Sequence, residues 1–228
     1  MDRLRRNRNI IPLLTLATLA WGQDSLVTKS FFSVDSLHTG RATFYYVDKG
    51  RGSCGLPSSD PWDTLSAAMN NPDFHNSEVC GACAMVTGPI DSVLLRINDR
   101  CPGCKSGDLD LTTTAFKRIA NIKSGTVPIA WHFAPCPPAD SLAIHFTPKS
   151  SKWYISMQLQ NHTNPIHSLE IKTDTGWQNI PRKYYNRFVV SRPPPAPWSL
   201  RIRDIMAQEW IDTTVSLTPG VLQPLGIE

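Results

Sequence analysis

Two aspartates, Asp99 and Asp110, stand eleven positions apart in the segments Asn98-Asp-Arg-Cys-Pro-Gly-Cys104 and Gly107-Asp-Leu-Asp-Leu111. Each ends a strand-like run or enters a loop, so both carboxylates can line one groove. Paired carboxylates are the equipment of glycoside hydrolysis, in which one acid protonates the leaving oxygen and a second carboxylate activates water or attacks the sugar. Asp110 also has a structural reading as N-cap of the helix that follows, a place that Asp108 or Thr112 to Thr114 could fill instead. Asp99 could equally serve as a turn residue before Cys101-Pro102.

The cysteines offer a second chemistry. All six lie between positions 54 and 136 (Cys54, Cys80, Cys83, Cys101, Cys104 and Cys136), and none follows. Cys80-Gly-Ala-Cys83 and Cys101-Pro-Gly-Cys104 are two C-x2-C pairs, the spacing of a four-thiolate zinc site. Cys-Pro-Gly-Cys alone also matches a thioredoxin-type redox pair. Six cysteines equally allow three disulfides in any of fifteen pairings. The six histidines show no ligand spacing, so no catalytic metal and no cofactor are expected.

The N-terminus bears on that choice. Arg3, Arg5, Arg6 and Arg8 precede an apolar run over 10–21, and Ala20-Trp-Gly22 supplies a small-x-small pattern, so residues 1–22 are expected to be a secretory signal. About twelve residues interrupted by a proline fall short of the roughly 20 that a membrane span needs. Secretion favours disulfides over zinc or redox chemistry. The whole chain carries 23 basic and 19 acidic residues, and removing 1–22 leaves 19 against 18. Charge-driven nucleic-acid binding then has no support.

The rest of the composition fixes the class. With 228 residues at 41% hydrophobic and 18% charged, disorder is excluded, and 19 prolines disfavour long helices. Cysteine usage stops at Cys136-Pro137-Pro138, which divides a linker over 23–38 and a first domain over 39–136 from a second over 137–228. In the first, Ala42-Thr-Phe-Tyr-Tyr-Val47, Val93-Leu-Leu-Arg-Ile-Asn98 and Val127-Pro-Ile-Ala-Trp-His-Phe133 read as strands. Phe116, Ile119 and Ala120 mark one short helix behind a threonine cap. In the second, runs beginning at Trp153, Ile166, Arg187, Trp198 and Trp210 alternate with period two and predict an antiparallel β-sandwich. Trp177, Trp198 and Trp210 are expected in its core or at its edges.

These segments, in this order, resemble the expansin family. The resemblance rests on Gly40-Arg-Ala-Thr-Phe-Tyr45, Gly52-Ser-Cys-Gly55, the two C-x2-C pairs, Asn98-Asp99 and Gly107-Asp-Leu-Asp-Leu111. It continues through Val127-Pro-Ile-Ala-Trp131 into Ser150-Ser-Lys-Trp-Tyr154, Gln160-Asn-His162 and Tyr185-Asn186. It implies an all-β protein, a six-stranded double-psi β-barrel followed by an immunoglobulin-like carbohydrate-binding sandwich, secreted and acting on plant cell walls without cutting them.

The resemblance also implies roles. Asp110 matches the general acid of the related family-45 glycoside hydrolases, and Asp99 beside it matters for expansin activity. The hydrolases' base lies two residues beyond the tyrosine that Tyr45 resembles, and Val47 stands there. Asp48, one residue on, points to the other face of a strand. Thr43, Tyr45, Asp99 and Asp110 are therefore expected to grip a glycan without hydrolysing it. Cys101 replaces an aromatic found in disulfide-free bacterial expansins. Trp153, Tyr154 and Tyr185 match the cellulose-binding face, although 153 and 154 on a regular strand would point opposite ways unless the chain bends near Ser150-Ser151. Expected partners are cellulose, associated wall glucans and xylan, with acidic pectin attracted by Arg182, Lys183, Arg187, Arg192, Arg201 and Arg203. A monomer is expected. A weak endoglucanase or lytic transglycosylase using Asp110 is the alternative.

Overall fold

The computed structural model describes residues 36–47, 52–57, 61–137 and 141–226. The expected signal over 1–22, most of the linker and Asp48 lie outside them.

Six strands close the barrel: β1 (His38–Tyr45), β2 (Ser66–Asn70), β3 (Cys83–Thr87), β4 (Ser92–Cys101), β5 (Leu109–Thr112) and β6 (Val127–Ala134), in the order β1-β5-β2-β4-β3-β6. Strands β1 and β5 pair in parallel, as do β2 and β4. The interior follows from strict alternation. Val127, Ile129, Trp131 and Phe133 of β6 point inward among Leu95, Ile97, Leu109 and Leu111. The Trp131 indole N–H is satisfied there by the Gly107 carbonyl at 2.8 Å. Strand β1 passes so close to the loop before β5 that a Cβ on Gly40 would lie 2.3 Å from the Gly107 oxygen. Only glycine permits this approach, which sets the β1–β5 register.

Helix α1 (Thr113–Ile119) forms where the periodicity placed it and buries Ala115, Phe116 and Ile119. Its cap is Thr112, whose hydroxyl accepts from the Ala115 amide. Asp110 therefore plays no capping role. The cysteines form three disulfides, Cys54–Cys80, Cys83–Cys136 and Cys101–Cys104, with no free thiol. Each C-x2-C pair is consumed, so no four-thiolate zinc site can form.

Nine strands make the second domain: β7 (Ala143–Phe146), β8 (Tyr154–Gln160), β9 (Ile166–Thr173), β10 (Gly176–Asn179), β11 (Arg182–Lys183), β12 (Arg187–Ser191), β13 (Trp198–Asp204), β14 (Glu209–Val215) and β15 (Leu222–Pro224). Antiparallel sheets β10-β9-β13-β14 and β11-β12-β8-β7-β15 enclose Phe146, Ile155, Met157, Leu169, Phe188, Trp198 and Leu200. Trp198 is a core residue, whereas Trp177 and Trp210 are only partly covered. The architecture is the double-psi barrel and β-sandwich that the sequence led us to expect.

The barrel lies on the outer face of the five-stranded sheet. Ile155, Met157 and Leu159 of β8 face the sandwich core, yet the intervening Ser156, Gln158 and Gln160 are also buried. Gln158 donates its amide to the Cys54 carbonyl at 2.8 Å, and Asn186 donates to the same oxygen at 3.2 Å. Ser77 donates to the Lys183 carbonyl and accepts from the Asn186 amide. His167 meets Glu78 at 2.7 Å. The junction is largely polar, and these bonds fix one domain against the other.

Candidate functional site

A row of side chains crosses the outer barrel surface. Thr43 on β1 pairs with Asp110 on β5, Asp110 pairs with Ala68 on β2, and Ala68 pairs with Asp99 on β4. Directly opposed residues share a face, so all four point the same way. The two aspartates flank a methyl group, with Cα atoms roughly 10 Å apart at two strand spacings. Asp99 reaches this face because of a bulge. The pairing jumps from Ala67–Ile97 to Ala68–Asp99, leaving Asn98 unopposed. Without that extra residue, Asp99 would continue the inward series Val93, Leu95, Ile97.

The carboxylates are held differently. Asp99 Oδ1 accepts from the backbone amides of Ser53 at 2.6 Å and Arg100 at 2.7 Å. The Ser53 loop approaches so closely that a Cβ on Gly52, whose φ is +56°, would lie 2.9 Å from the Asp99 Cβ. Asp110 Oδ1 accepts a single short bond, 2.5 Å, from the Thr43 hydroxyl. Burial, together with the nearby Asp99 charge, raises the Asp110 pKa, and the Thr43 bond opposes the rise. Tyr45 lies between the same charges. Burial, with both aspartates, pushes its phenol up to about 12. A neutral phenol and a carboxyl that stays protonated to higher pH than usual are hydrogen-bonding groups suited to sugar hydroxyls.

Beside this row lies a cleft of about 240 Å³ lined by Tyr45, Tyr46, Val47, Gly52, Asp63, Ser66, Asn98 and Asp99. Val47 faces it, half exposed. Sequence reasoning missed Asp63, Ser66 and Tyr46. Asp63 sits in an irregular turn with no periodic signal, and Tyr46 lies just past the end of β1, exposed.

On the sandwich, Trp153 is 66% exposed, Tyr154 40% and Tyr185 39%. The bend that exposing both neighbours requires is present. Ser151 and Tyr154 exchange backbone hydrogen bonds at 2.7 and 3.1 Å, so Lys152 and Trp153 form a tight turn before β8 begins. Tyr154 stands on the same face of β8 as Gln158, which carries the barrel. Tyr185 lies at the junction end of that sheet, in the turn closed by Asn186, roughly 14 Å along β8 from Tyr154 at 3.4 Å per residue. Sequence reasoning missed the bridge between the two sites. Tyr184, 58% exposed, packs edge-on against Tyr185 at 5.0 Å. The Arg100 guanidinium, one residue from Asp99, lies 5.8 Å from the Tyr184 ring.

The six basic residues expected to attract pectin do not cluster. Arg182 turns into the junction, bonding the carbonyls of Ser77 and Ile166 and the Asn186 side chain, and burial lowers its pKa to about 10. Arg201 pairs with Glu170 and Arg203 with Glu209 on the other sheet. Lys183 and Arg192 are exposed.

A family model described as lytic transglycolase matches residues 66–131, which span β2 to β6. The chain is 29% identical over 188 residues to Expansin-YoaJ of Bacillus subtilis, covering 80% of each. It is 35% identical over 101 residues to the papain inhibitor of Streptomyces mobaraensis, covering 42% of this chain and 70% of that one. Among solved structures, a mutant Clavibacter michiganensis expansin in complex with cellohexaose superposes with a TM-score of 0.77 at 28% identity, over 84% of this chain and 96% of that one. The likenesses to the Bacillus and Clavibacter expansins run through both domains, as the barrel row and the exposed aromatic face do, and the chain is expansin-like throughout.

Proposed function

We propose that the mature protein is secreted, holds a glucan chain of the plant cell wall across the groove and the aromatic face, and loosens the wall without hydrolysis. Thr43, Tyr45, Asp99 and Asp110 grip the chain through its hydroxyls. Trp153, Tyr154 and Tyr185 stack on its C–H faces, at roughly 1 to 3 kcal/mol per ring. Cellulose is the main partner, with associated glucans and xylan. Lys183 and Arg192, the exposed members of those six cations, would attract acidic pectin weakly. The protein acts as a monomer, without a cofactor.

One observation carries the non-hydrolytic reading. Where the related hydrolases place a base, the cleft is faced by the Val47 side chain, which cannot activate water. A glycan-bound relative, the Clavibacter expansin with cellohexaose, supports the substrate class. A specific feature favours the alternative. The raised pKa of Asp110 suits a general acid, and Asp63 brings a second carboxylate into the cleft.

Incubating the mature protein with cellulose, pelleting the solid and assaying the same tubes for reducing sugar separates the two. Binding without sugar release, weakened five-fold or more by Trp153→Ala or Tyr185→Ala, is the expected result. Sugar release lost in Asp110→Asn would overturn it and make the protein a glycoside-cleaving enzyme.

A further inference from the structure

A second cavity, outside the groove, lies behind the Trp153 turn. It measures about 380 Å³ and is lined by Lys152, Trp153, Pro193, Pro194, Pro195, Ala196, Trp198 and Leu217. Small-molecule sites begin near 300 Å³, so this one suits a single ring with its substituents.

Its walls are fixed. The backbone amide of Arg192 donates to the Trp153 carbonyl at 2.8 Å, tying the start of the proline loop to the turn. The Trp198 indole donates to the Pro194 carbonyl at 2.7 Å, while its ring packs 5.8 Å from Phe146 in the core. Three successive prolines have locked φ angles and no amide donors. Indole and pyrrolidine faces thus form a slot that needs little ordering to receive a flat ligand.

Hydrogen-bonding character selects the ligand. Trp198 has already spent its N–H. The remaining polar side-chain groups of the lining, the Lys152 ammonium and the Trp153 indole N–H, are donors, and no lining side chain is an acceptor or an acid. Lys152 Nζ stands 5.1 Å from the Trp153 ring, at the rim. A pyranose offers the Lys152 ammonium no negative charge, and it would bring several hydroxyls into a lining whose only acceptors are backbone carbonyls. A planar aromatic carboxylate brings an apolar body, acceptor oxygens and a negative charge.

We propose that this slot binds an aromatic carboxylate of the hydroxycinnamate class, its ring between the Trp153 indole and the prolines and its carboxylate toward Lys152. The inference shares the Trp153 ring with the wall-binding reading but takes a ligand that is not a sugar, and Leu217 and the prolines, which that reading does not use, tell the two apart.

Titration with p-coumarate, followed by nuclear magnetic resonance of the full-length mature protein, tests it. Saturable shifts at Lys152, Trp153 and Leu217 are expected at millimolar ligand or below, with cellobiose giving none at Leu217. Leu217→Trp fills the slot and should weaken p-coumarate at least ten-fold while cellulose retention is kept. Lys152→Gln, on the surface, should weaken it several-fold and flatten its dependence on salt. Absence of saturation, shifts that map elsewhere, equal affinity for cyclohexanecarboxylate, or unchanged binding in Lys152→Gln would each overturn the proposal.

Discussion

Thr43 and Asp110 occupy directly opposed positions on parallel strands, and the hydroxyl of one donates to the carboxyl of the other at 2.5 Å. This is the one side-chain bond that stabilises the charged form of Asp110 against burial and the Asp99 charge. A residue that cannot itself titrate therefore moderates the protonation state of Asp110.

Replacing Thr43 with Val keeps the shape and deletes the bond. The Asp110 pKa, already above the ordinary carboxyl value, should move further up, because the influence removed is the lowering one. A carbon-13 titration of the Asp110 carboxyl checks this directly. The acid-side limb of any pH profile for glucan binding should move the same way. An unmoved titration would mean that the bond is not made in solution.

Asp110→Asn separates role from scaffold. Helix α1 is capped by Thr112, so no fold element depends on the Asp110 charge, and removing a half-buried carboxylate near Asp99 relieves repulsion. Thermal unfolding at neutral pH should stay within about 1 kcal/mol of the parent or rise above it, as is common when a functional site is neutralised. Wall loosening, measured as creep of a clamped cell-wall strip, should fall sharply. A variant that failed to fold would assign Asp110 a structural role instead.

How much of this was legible beforehand follows from periodicity. Strands β1, β4 and β6 could be read from their branched and aromatic residues, and β8, β9, β12, β13 and β14 from their alternation, and so could α1 behind its threonine. Strand β2, Ser66–Asn70, could not, because four of its five residues are small or polar and all five are buried, on both faces. Yet β2 supplies Ala68, the residue that aligns both aspartates. The facing of Asp99 depends on a one-residue bulge at Asn98, which local propensity does not encode. Tyr184 and Arg100 were missed for another reason. Their meeting depends on how the domains dock, and that is set by Gln158 and Asn186 converging on the Cys54 carbonyl from over a hundred residues away.

The three disulfides should differ in resistance to reduction. Cys54, Cys80 and Cys83 are buried, whereas Cys101 and Cys104 are partly exposed and only three positions apart. Loop-closure entropy gives about 2 kcal/mol for the short loop and about 3.5 kcal/mol for Cys54–Cys80. Under graded reductant, alkylation read by mass spectrometry should label Cys101 and Cys104 first. Cys101→Ser with Cys104→Ser should be tolerated, and Cys54→Ala with Cys80→Ala should also loosen the junction that Cys54 anchors. Labelling in the reverse order would contradict this ranking.

Docking of the domains should itself respond to pH through His167 and Glu78. The hydrogen bond that His167 donates to Glu78, supported by the carboxylate's charge, raises the His167 pKa above 6.5, against partial burial and the charges of Arg182 and Arg203. A histidine whose folded pKa is raised stabilises the fold fully below its unfolded pKa, and the contribution disappears as pH climbs through the higher folded value. The stability difference between the parent and His167→Gln should therefore be greatest below about pH 6.5 and vanish in mildly alkaline solution. Glu78→Gln should abolish that pH dependence while leaving the Asp110 titration in place. Urea unfolding at a series of pH values measures both, and a difference that grew with pH would show that His167 stabilises the junction as a neutral ring.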